Sequence, residues 1–359
     1  MDVTSVIQLK VNNLWYLVIF WVLLIPLGWG GFAYVLAQEE IAIAKIRVVS
    51  VLKSNDTGQP LSFPSTLAYD RQTDELYVLD AAKGRIIIYS PDLFPIFSFG
   101  IGREVENPSC IAIDKEGLIY IGESPKGNKP AKIAIFNQAA IKIKEFYFKD
   151  FEGASNFIPR SLAIGFRGRI YVAGSDFRGV VVLDREGHFI KLLAPEDTFA
   201  ANIPKRKAQI SDVYIDENGR IYLASEEMGR IYVYDRQERY LFKLGQKGGT
   251  FGKLSRPRGV AADPRQDLIY VVDYMRHTGQ AYDYQTGKFR FEFGGRGWSP
   301  GWFNYPTDIV VDKFSRLYIA DLFNHRVQVI EFASITYPEI PVEVPSFITP
   351  IQKIKIPKK

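Results

Sequence analysis

A tyrosine between two aliphatic residues recurs six times along the chain at nearly constant spacing. It stands at Tyr77, Tyr120, Tyr171, Tyr222, Tyr270 and Tyr318, so that successive copies are 43, 51, 51, 48 and 48 residues apart. Upstream of each copy lies a second apolar run, and five of these six runs end in aspartate: LAYD, IAID, LAIG, VYID, VAAD and IVVD. Self-similarity at a period of ~40–50 residues indicates a repeat architecture in which each repeat forms one supersecondary unit.

Each repeat is typical of four short strands, which we label A to D in chain order. Strands A and B are the two runs just described, joined by polar turns such as DENG and DKEG that suit a hairpin. Alternating runs such as RIIIYS and RVQVIEF follow as strand C, and runs such as YLFKLG as strand D. Such a small sheet can bury its faces only against neighbouring sheets around an axis. The predicted fold class is therefore all-β, a six-bladed β-propeller.

The last repeat lacks a strand D, and the first repeat is preceded by an apolar run without a partner, KIRVVSVL at residues 45 to 52. Pairing the two closes the ring and removes two open sheet edges, which would otherwise promote aggregation. The sequence thus predicts a propeller over residues 45 to 333, with its sixth blade completed by residues 45 to 52.

The fifth and sixth repeats resemble those of NHL-repeat propellers. The sixth reads GGRGWSPGWFNYPTDIVVD and then LYIADLFNHRVQVIEF, with Asn324 and His325 of the motif that names the family. The fifth reads GQKGGTFGKLSRPRGVAAD and LIYVVDYMRHTGQAYDY, with Arg276 where the asparagine would stand. The resemblance covers about residues 45 to 333 and implies the fold and a binding surface. The family includes scaffolds, RNA binders and a few lyases, so function has to be argued from the site.

An apolar stretch without any charged residue, Trp15 to Ala37, precedes the repeats and follows Lys10. Its length matches the ~20 residues that span a bilayer, which favours a retained anchor, whereas Val35 and Ala37 also fit a signal-peptidase site. The lone lysine favours an N-terminus inside and a propeller outside. Residues 1 to 37 are predicted to be a signal-anchor or a signal peptide. The propeller is expected on the outer side of the cytoplasmic membrane, or in the periplasm or medium after cleavage behind Ala37.

The C-terminal tail, residues 334 to 359, is rich in proline and lysine. Its prolines forbid a helix and favour an extended conformation, so we expect a strap along the propeller or a loose tail. A contact of its four lysines, from Lys353 to Lys359, with lipid headgroups is the alternative.

Metal chemistry would be needed for the lyase or lactonase activity of related propellers. His277 and His325 fall in loops between strands B and C, whereas His188 falls in a C-to-D turn at the opposite face, so the three histidines are not expected to converge. Cys110 is the only cysteine, which excludes a cysteine cage and an intrachain disulfide. No P-loop, dinucleotide-binding or nucleophile-elbow motif occurs, and we expect no cofactor and, on balance, no enzyme.

Several polar residues are interpreted as structural parts of the repeat. Those that end strand B are expected to bind backbone amides of the following loop, and the histidines of the B-to-C loops to be hydrogen-bonded locally. This set is Asp80, Asp273, Asp321, His277, Asn324 and His325.

The D-to-A and B-to-C loops share one face of a propeller, which we call the loop face; the A-to-B and C-to-D turns form the opposite turn face. The predicted binding site lies on the loop face and at the channel mouth beneath it. It comprises Arg160, Lys205, Arg206, Lys207, Asp212, Arg256, Arg258, Tyr274, Arg276, Trp298, Trp302 and Asp308. Because Arg160 and Arg258 stand beside the two aspartates, a divalent-cation cage is disfavoured there.

Basic and aromatic side chains together suit an acidic or sugar-bearing partner, and the net charge of +5 is in line with this. The alternative is that the basic residues are merely solvated and that Phe303, with or without Trp302, packs between blades. We expect a monomeric interaction module for another envelope protein, with no nucleic acid as partner because an exported domain seldom meets RNA. Strand D starts on the turn face, so the membrane segment and the tail should leave the propeller there.

Overall fold

The structure, a computed structural model, describes residues 43–198 and 202–336. In these ranges six four-stranded antiparallel sheets form the blades, and a two-stranded ribbon links the third blade to the fourth. The innermost strands of successive blades contact one another in a closed ring around a central channel. No helix in the same ranges is long and apolar enough to cross a membrane. The predicted membrane segment, residues 1 to 37, and the tail from residue 337 onward lie outside the described residues.

The strands follow the predicted order. The chain starts with β1 (Ile43–Leu52). Blade one contains β2 (Pro64–Asp70), β3 (Glu75–Asp80), β4 (Arg85–Tyr89) and β5 (Pro95–Gly100). Blade two contains β6 (Pro108–Ile113), β7 (Ile119–Glu123), β8 (Lys132–Phe136) and β9 (Lys142–Tyr147). Blade three contains β10 (Pro159–Ile164), β11 (Ile170–Gly174), β12 (Val180–Leu183) and β13 (Phe189–Leu193).

The linking ribbon comprises β14 (Glu196–Asp197) and β15 (Arg206–Lys207). Blade four contains β16 (Asp212–Ile215), β17 (Ile221–Ser225), β18 (Arg230–Tyr234) and β19 (Tyr240–Leu244). Blade five contains β20 (Pro257–Asp263), β21 (Leu268–Asp273), β22 (Thr278–Asp283) and β23 (Phe289–Gly294). Blade six contains β24 (Pro306–Val311), β25 (Leu317–Asp321) and β26 (Arg326–Thr336), with β1 as its outer strand. Short 3₁₀ turns occur at Ala81–Lys83, Ala154–Asn156, Phe166–Gly168 and Leu322–Asn324.

In blades two, four and six the repeated tyrosine and the aspartate before it belong to one hydrogen-bond pattern. Each repeat tyrosine is buried, and in blade four Tyr222 donates its hydroxyl to Asp216 at 2.9 Å. The other oxygen of Asp216 accepts the N–H groups of the A-to-B turn, so a single carboxylate fixes both the turn and the tyrosine. In blade three Gly165 replaces the aspartate, and Tyr171 donates instead to Glu238 of blade four at 2.6 Å. In blade one Tyr77 donates to Glu75 at 3.2 Å, so the acceptor differs between blades while the buried hydroxyl keeps a carboxylate partner in blades one to four and six.

Blade six is closed by the chain segment that precedes the first repeat. Strand β1 pairs antiparallel with β26, from Ile43 opposite Thr336 to Leu52 opposite Val327. Its side chains Ile46 and Leu52 are each 4% exposed and join the apolar cores on the two sides of the blade. The strand begins two residues before the predicted start at residue 45, because the ladder with β26 continues that far.

Strands β20 and β24 approach each other so closely that a side chain between them has no room. A Cβ atom at Gly259 would lie 2.7 Å from the Cα of Asp308 and 2.9 Å from the backbone nitrogen of Ile309. Because backbone atoms cannot move aside cheaply, Gly259→Ala is expected to lower the free energy of unfolding by ~1–3 kcal/mol. Chemical denaturation checks this, with Gly249→Ala as the control, since nothing lies within 4 Å of a Cβ at Gly249. Equal stability of the two variants would contradict the expectation.

Candidate binding face and central channel

The loops of the loop face are held by the aspartates that end strand B. Asp80 accepts hydrogen bonds from the backbone N–H groups of Ser62 and Phe63 at 3.0 and 2.9 Å, and Asp321 accepts one from Asn304 at 2.6 Å. These amides belong to the segment that precedes strand A, so the expectation that they lie in the following loop is wrong for both residues. The reason is geometric, because the end of strand B lies beside the start of strand A in an antiparallel pair.

Asp273 serves both loops of blade five. It accepts from the backbone N–H groups of Ser255 and Arg256 before strand β20, at 2.5 and 3.1 Å, and from those of Met275 and Arg276 after β21, both at 3.1 Å. One buried carboxylate thereby sets the backbone of two adjacent loops on the binding face.

The repeat histidines and asparagine make local contacts. His277 is buried, accepts the N–H of Tyr305 on Nδ1 at 3.0 Å, and has its pKa lowered by burial. Asn324 donates to Asp321 at 2.8 Å and to the carbonyl of Gly297 at 2.9 Å. His325 adopts a left-handed conformation with φ 53° and contacts the carbonyl of Ser62.

His188 lies on the turn face, where its Nδ1 is 3.0 Å from a carboxylate oxygen of Asp184. The other two histidines lie on the loop face. Within residues 43–198 and 202–336, no group of three or more His, Cys, Asp or Glu side chains is arranged to hold a metal ion.

A cluster of two arginines and one glutamate lies where strands β10 and β20 begin. Arg160 and Arg258 both form ion pairs with Glu226, the latter at 3.1 Å, and each arginine side chain remains about 30% exposed, at 30% and 28%. The guanidinium of Arg258 also lies 3.9 Å above the ring of Tyr274. Two cations share one anion, so the cluster retains an excess positive charge.

Glu226 was not among the residues singled out from the sequence. It directly follows strand β17, the repeat position that Tyr274 occupies after β21. Aligning the B-to-C loops of blades four and five would have placed Glu226 beside the two arginines.

An arc of aromatic rings continues from this cluster across blades five, six and one. The ring centroids of Tyr274 and Tyr305 are 4.7 Å apart, those of Tyr305 and Phe323 5.2 Å, and those of Phe323 and Phe63 5.7 Å. Only Tyr274 was predicted. Phe63 and Tyr305 each stand directly before the proline that opens strand A, a shared position that could have identified them. We call Arg160, Glu226, Arg258 and these four aromatic residues the arginine–aromatic rim.

The remaining predicted basic residues differ in solvent exposure and in whether they form an ion pair. Lys205, Lys207 and Arg256 are exposed, whereas Arg206 forms an ion pair with Glu227. Arg276 does not belong to the open surface, because it is withdrawn into an ion pair with Glu292 in which both side chains are 12% exposed.

The two predicted tryptophans also differ. Trp298 is 80% exposed, whereas Trp302 is half-buried with its ring over Gly295. Phe303 is fully buried among the side chains of blades five and six. Of the two predicted tryptophans, only Trp298 therefore belongs to the open surface.

Asp212 and Asp308 lie inside the channel. Asp212 accepts hydrogen bonds from the hydroxyl of Ser161 at 2.6 Å and the N–H of Val260 at 3.1 Å, which joins the inner strands of blades three, four and five. Asp308 accepts the N–H of Leu67 at 2.7 Å and so joins blade six to blade one. Burial raises the pKa of both carboxyl groups, and the charge of Asp212 raises the pKa of Asp308 further.

The channel holds a cavity of ≈ 320 Å³. Asp212 and Asp308, near the starts of strands β16 and β24, line the end of the cavity nearer the loop face. The end at the turn face is lined by residues of the A-to-B turns, namely Arg71, Lys115 and Glu217. The cavity thus extends toward the turn face, away from the arginine–aromatic rim. Its mixture of apolar strand residues and a few charged groups suits a small polar molecule.

No protein family model matches the chain. The chain is 27% identical over 119 residues to NHL repeat-containing protein 2 of Bos taurus, an alignment that covers 30% of this chain and 16% of that protein. It is 22% identical over 249 residues to NHL repeat-containing protein 3 of Homo sapiens, covering 67% of this chain and 66% of that protein. The chain therefore spans less than two thirds of the length of either relative.

Among solved structures, an auxiliary nutrient binding protein from Bacteroides thetaiotaomicron superposes with a TM-score of 0.58 at 15% identity, covering 81% of this chain and 78% of that one. A streptogramin B lyase superposes with a TM-score of 0.54 at 10% identity, covering 80% and 98%. At such identities the superpositions establish the fold alone. The six described blades, their repeat and the two NHL-repeat relatives together identify the chain as a six-bladed β-propeller of the NHL type.

Proposed function

We propose that this propeller is an extracytoplasmic binding module that holds an acidic or sugar-bearing partner, most simply another envelope protein, on its loop face. The observation that carries the proposal is the arginine–aromatic rim. Its two arginines share the single carboxylate of Glu226, so these ion pairs contain one more cation than anions. An incoming carboxylate can balance the extra charge, and a guanidinium binds carboxylates in a directional, bidentate manner.

The rim is held in place before any partner arrives. Arg258 is fixed between Glu226 and the ring of Tyr274, and Tyr305 is fixed by its contacts with Tyr274 and Phe323. Side chains that are already ordered lose little conformational entropy on binding. Tyrosine and arginine are also the residue types that dominate the energetics of protein interfaces.

Two further observations support a binding role. The auxiliary nutrient binding protein shows that a propeller of this fold can serve as a binding protein. The charge-free stretch from Trp15 to Ala37, if it is inserted as predicted, would present the propeller outside the cytoplasm.

Capture of partners from detergent-solubilised membranes with the full chain as bait tests the proposal. The variant Arg160→Glu, Lys205→Glu, Arg258→Glu places three negative charges on the loop face and is expected to reduce capture at least tenfold, as charge reversal does at complementary interfaces. The matched control Lys115→Glu, Arg239→Glu, Lys288→Glu reverses three cations of the turn face and should capture normally. A thermal melt of each variant verifies folding.

Because Arg160 and Arg258 have an internal partner, a second variant reverses Arg256, an exposed cation of the same face that forms no salt bridge with the residues the structure describes. Arg256→Glu combined with Trp298→Ala changes only exposed side chains and is expected to weaken capture several-fold. Capture that persists in both loop-face variants, or that is lost in the turn-face control, would refute the assignment of the binding face.

A further inference from the structure

Exposed apolar side chains occur on both faces of the propeller, and nine of the sixteen in the described ranges belong to the turn face and the adjoining outer rim. Most of the large apolar residues that are at least 40% exposed in the described ranges lie there. They are Phe94, Ile96, Ile141, Ile143, Phe166, Ile190, Tyr240, Leu241 and Phe314. Isolated exposed apolar residues are normal on any protein, and the loop face also carries some, such as Ile101 and Phe251. What distinguishes the turn-face set is its recurrence from blade to blade.

Part of this collection comes from a bulge that recurs in strand D. In blades one to four one residue of strand D is inserted between two ladder pairs, and it is Ile96, Ile143, Ile190 and Leu241 in turn. These side chains are 50%, 53%, 40% and 41% exposed. Blade five has the same bulge with Arg290 at this position. The bulge therefore does not require an apolar residue, and the four aliphatic side chains call for another explanation.

The aromatic residues at the tips of two A-to-B turns stand beside cations. Phe166 is 56% exposed, and the guanidinium groups of Arg167 and Arg236 lie 5.4 and 5.8 Å from its ring centroid. Neither arginine forms a salt bridge within the described part of the chain. Phe314 is 63% exposed, with Lys313 at 5.2 Å and Arg316 at 5.3 Å from its ring. Lys313 and Arg316 form ion pairs with Asp74 and Asp312, so of these two rings only that of Phe166 has cations beside it without a salt bridge in the described part of the chain. An apolar ring beside such cations is the arrangement favoured at the surface of an anionic bilayer.

The position of strand β1 relative to the predicted membrane segment indicates that the turn face lies near the bilayer. Strand β1 begins at Ile43 on the turn face, opposite the end of β26. The charge-free stretch ends at Ala37, which leaves only residues 38 to 42 between them. Five extended residues reach at most ~18 Å. If the stretch is inserted as the sequence predicts, the turn face is kept within that distance of the lipid.

We propose that the turn face rests directly on the lipid surface, with Phe166, Phe314 and the aliphatic residues of the bulges at headgroup level and Arg167 and Arg236 against anionic headgroups. All A-to-B and C-to-D turns lie at the same end of their strands, so residues on different blades can meet one plane together. A protein partner would more simply use one contiguous patch. The proposal rests on the membrane segment and is independent of the partner proposed for the loop face.

Site-directed spin labelling of the full chain in phospholipid nanodiscs tests it. Cys110 does not compete for the label, because it is fully buried and burial raises the pKa of its thiol to about 12. Nitroxides are attached to Phe166→Cys and Phe314→Cys, and, as matched controls on the loop face, to Phe251→Cys and Trp298→Cys, which replace residues 61% and 80% exposed. Collisions with oxygen, which concentrates in lipid, are compared with collisions with a water-soluble nickel complex.

In nanodiscs of phosphatidylcholine and phosphatidylglycerol, the ratio of oxygen to nickel collisions is expected to be several-fold higher at positions 166 and 314 than at 251 and 298. Equal ratios at all four positions would overturn the proposal, as would failure of the chain to remain with the nanodisc. Without phosphatidylglycerol the difference should shrink; an unchanged difference would refute the role given to Arg167 and Arg236. No partner protein is present, so this outcome is separate from that of the capture experiment.

Discussion

Deletion of residues 43–52 from the full chain is expected to abolish the monomeric, cooperatively folding propeller. Strand β1 is the outer strand of blade six, and without it β26 loses the partner for its whole outer edge. An unpaired edge in a ring that no longer closes is a template for association with another chain. Size-exclusion chromatography in detergent should show large aggregates, and the thermal unfolding transition should be lost or fall steeply.

The burial of side chains of β1 determines how much stability its deletion removes. Ile46 and Leu52 are both 4% exposed. Truncating a buried aliphatic side chain to alanine costs ~2–5 kcal/mol, while a whole domain is stable by only ~5–15 kcal/mol. Ile46→Ala and Leu52→Ala should therefore each lower the melting temperature clearly, and removal of the entire strand should exhaust most of the stability.

Arg47→Ala is the control within the same strand. Its side chain is 65% exposed and pairs with Glu331 across the ladder, an ion pair at the surface of the kind that contributes little. A deletion variant that stays monomeric with an unchanged melting curve would show that β1 does not close the ring.

The architecture could be read from the sequence because each blade is built from local contacts. The repeat tyrosine, the aspartate before it and the turn between them lie within a few residues, so their spacing alone indicates the hairpin. The closure by β1 was also accessible, since one strand was missing at one end and one was left over at the other.

The binding face could be read only in part, because its contacts join residues far apart in sequence. Arg160 and Glu226 are 66 residues apart and belong to neighbouring blades, so neither loop by itself shows that they pair. Arg276 was placed on the open surface, but the register of strand β23 brings Glu292 beside it and withdraws the charge. Local composition shows which residue types a loop carries, whereas the register between strands decides which charges are neutralised.

Raising the pH from 4 toward 8 is expected to destabilise the propeller through the carboxyl pair in its channel. The pKa of Asp308 is raised well above its usual value, first by burial and then by the charge of Asp212. Above the ordinary carboxyl pKa of ~3.9 the unfolded chain has released this proton while the native state still holds it. Stability is therefore full below that pH and falls by ~1.4 kcal/mol per pH unit until the folded pKa is passed.

Other carboxyl groups affect the stability of the propeller at lower pH, and they make it rise rather than fall as the pH increases. Ion pairs and hydrogen bonds, chiefly with Lys132 and Lys142, lower the pKa of Glu145 to about 2, and hydrogen bonds from Thr286 and Arg290 lower that of Asp283 to about 2 despite partial burial. Their contribution is present above the ordinary carboxyl pKa and is lost only as the pH falls toward 2. Between pH 4 and 8 the raised carboxyl groups are opposed by His277, whose lowered pKa makes stability rise toward the ordinary histidine pKa of ~6.5, so the decline is assigned to the channel pair by comparison with a variant.

Asp212→Asn removes both the buried carboxyl group of Asp212, whose own pKa is raised, and the charge that raises the pKa of Asp308. The asparagine can donate to the hydroxyl of Ser161 and still accept the N–H of Val260, so the contacts of the wild-type side chain are retained. Removing the neighbouring charge should lower the pKa of Asp308, so the decline in unfolding free energy between pH 4 and 8 becomes smaller by at least ~1 kcal/mol. Chemical denaturation of the full chain at several pH values measures it.

Glu186→Gln, which removes one exposed carboxylate from a C-to-D turn, is the control for the loss of a negative charge. It should retain the wild-type decline, because Glu186 lies on the turn face rather than in the channel. If Asp212→Asn and Glu186→Gln show the same dependence on pH, neither the carboxyl group of Asp212 nor its charge on Asp308 causes the decline. The link between blades four and five through Asp212 would then be purely a hydrogen-bond contact, and the pH dependence would have to arise from other buried carboxyl groups, of which Asp216 and Glu292 also have raised pKa values.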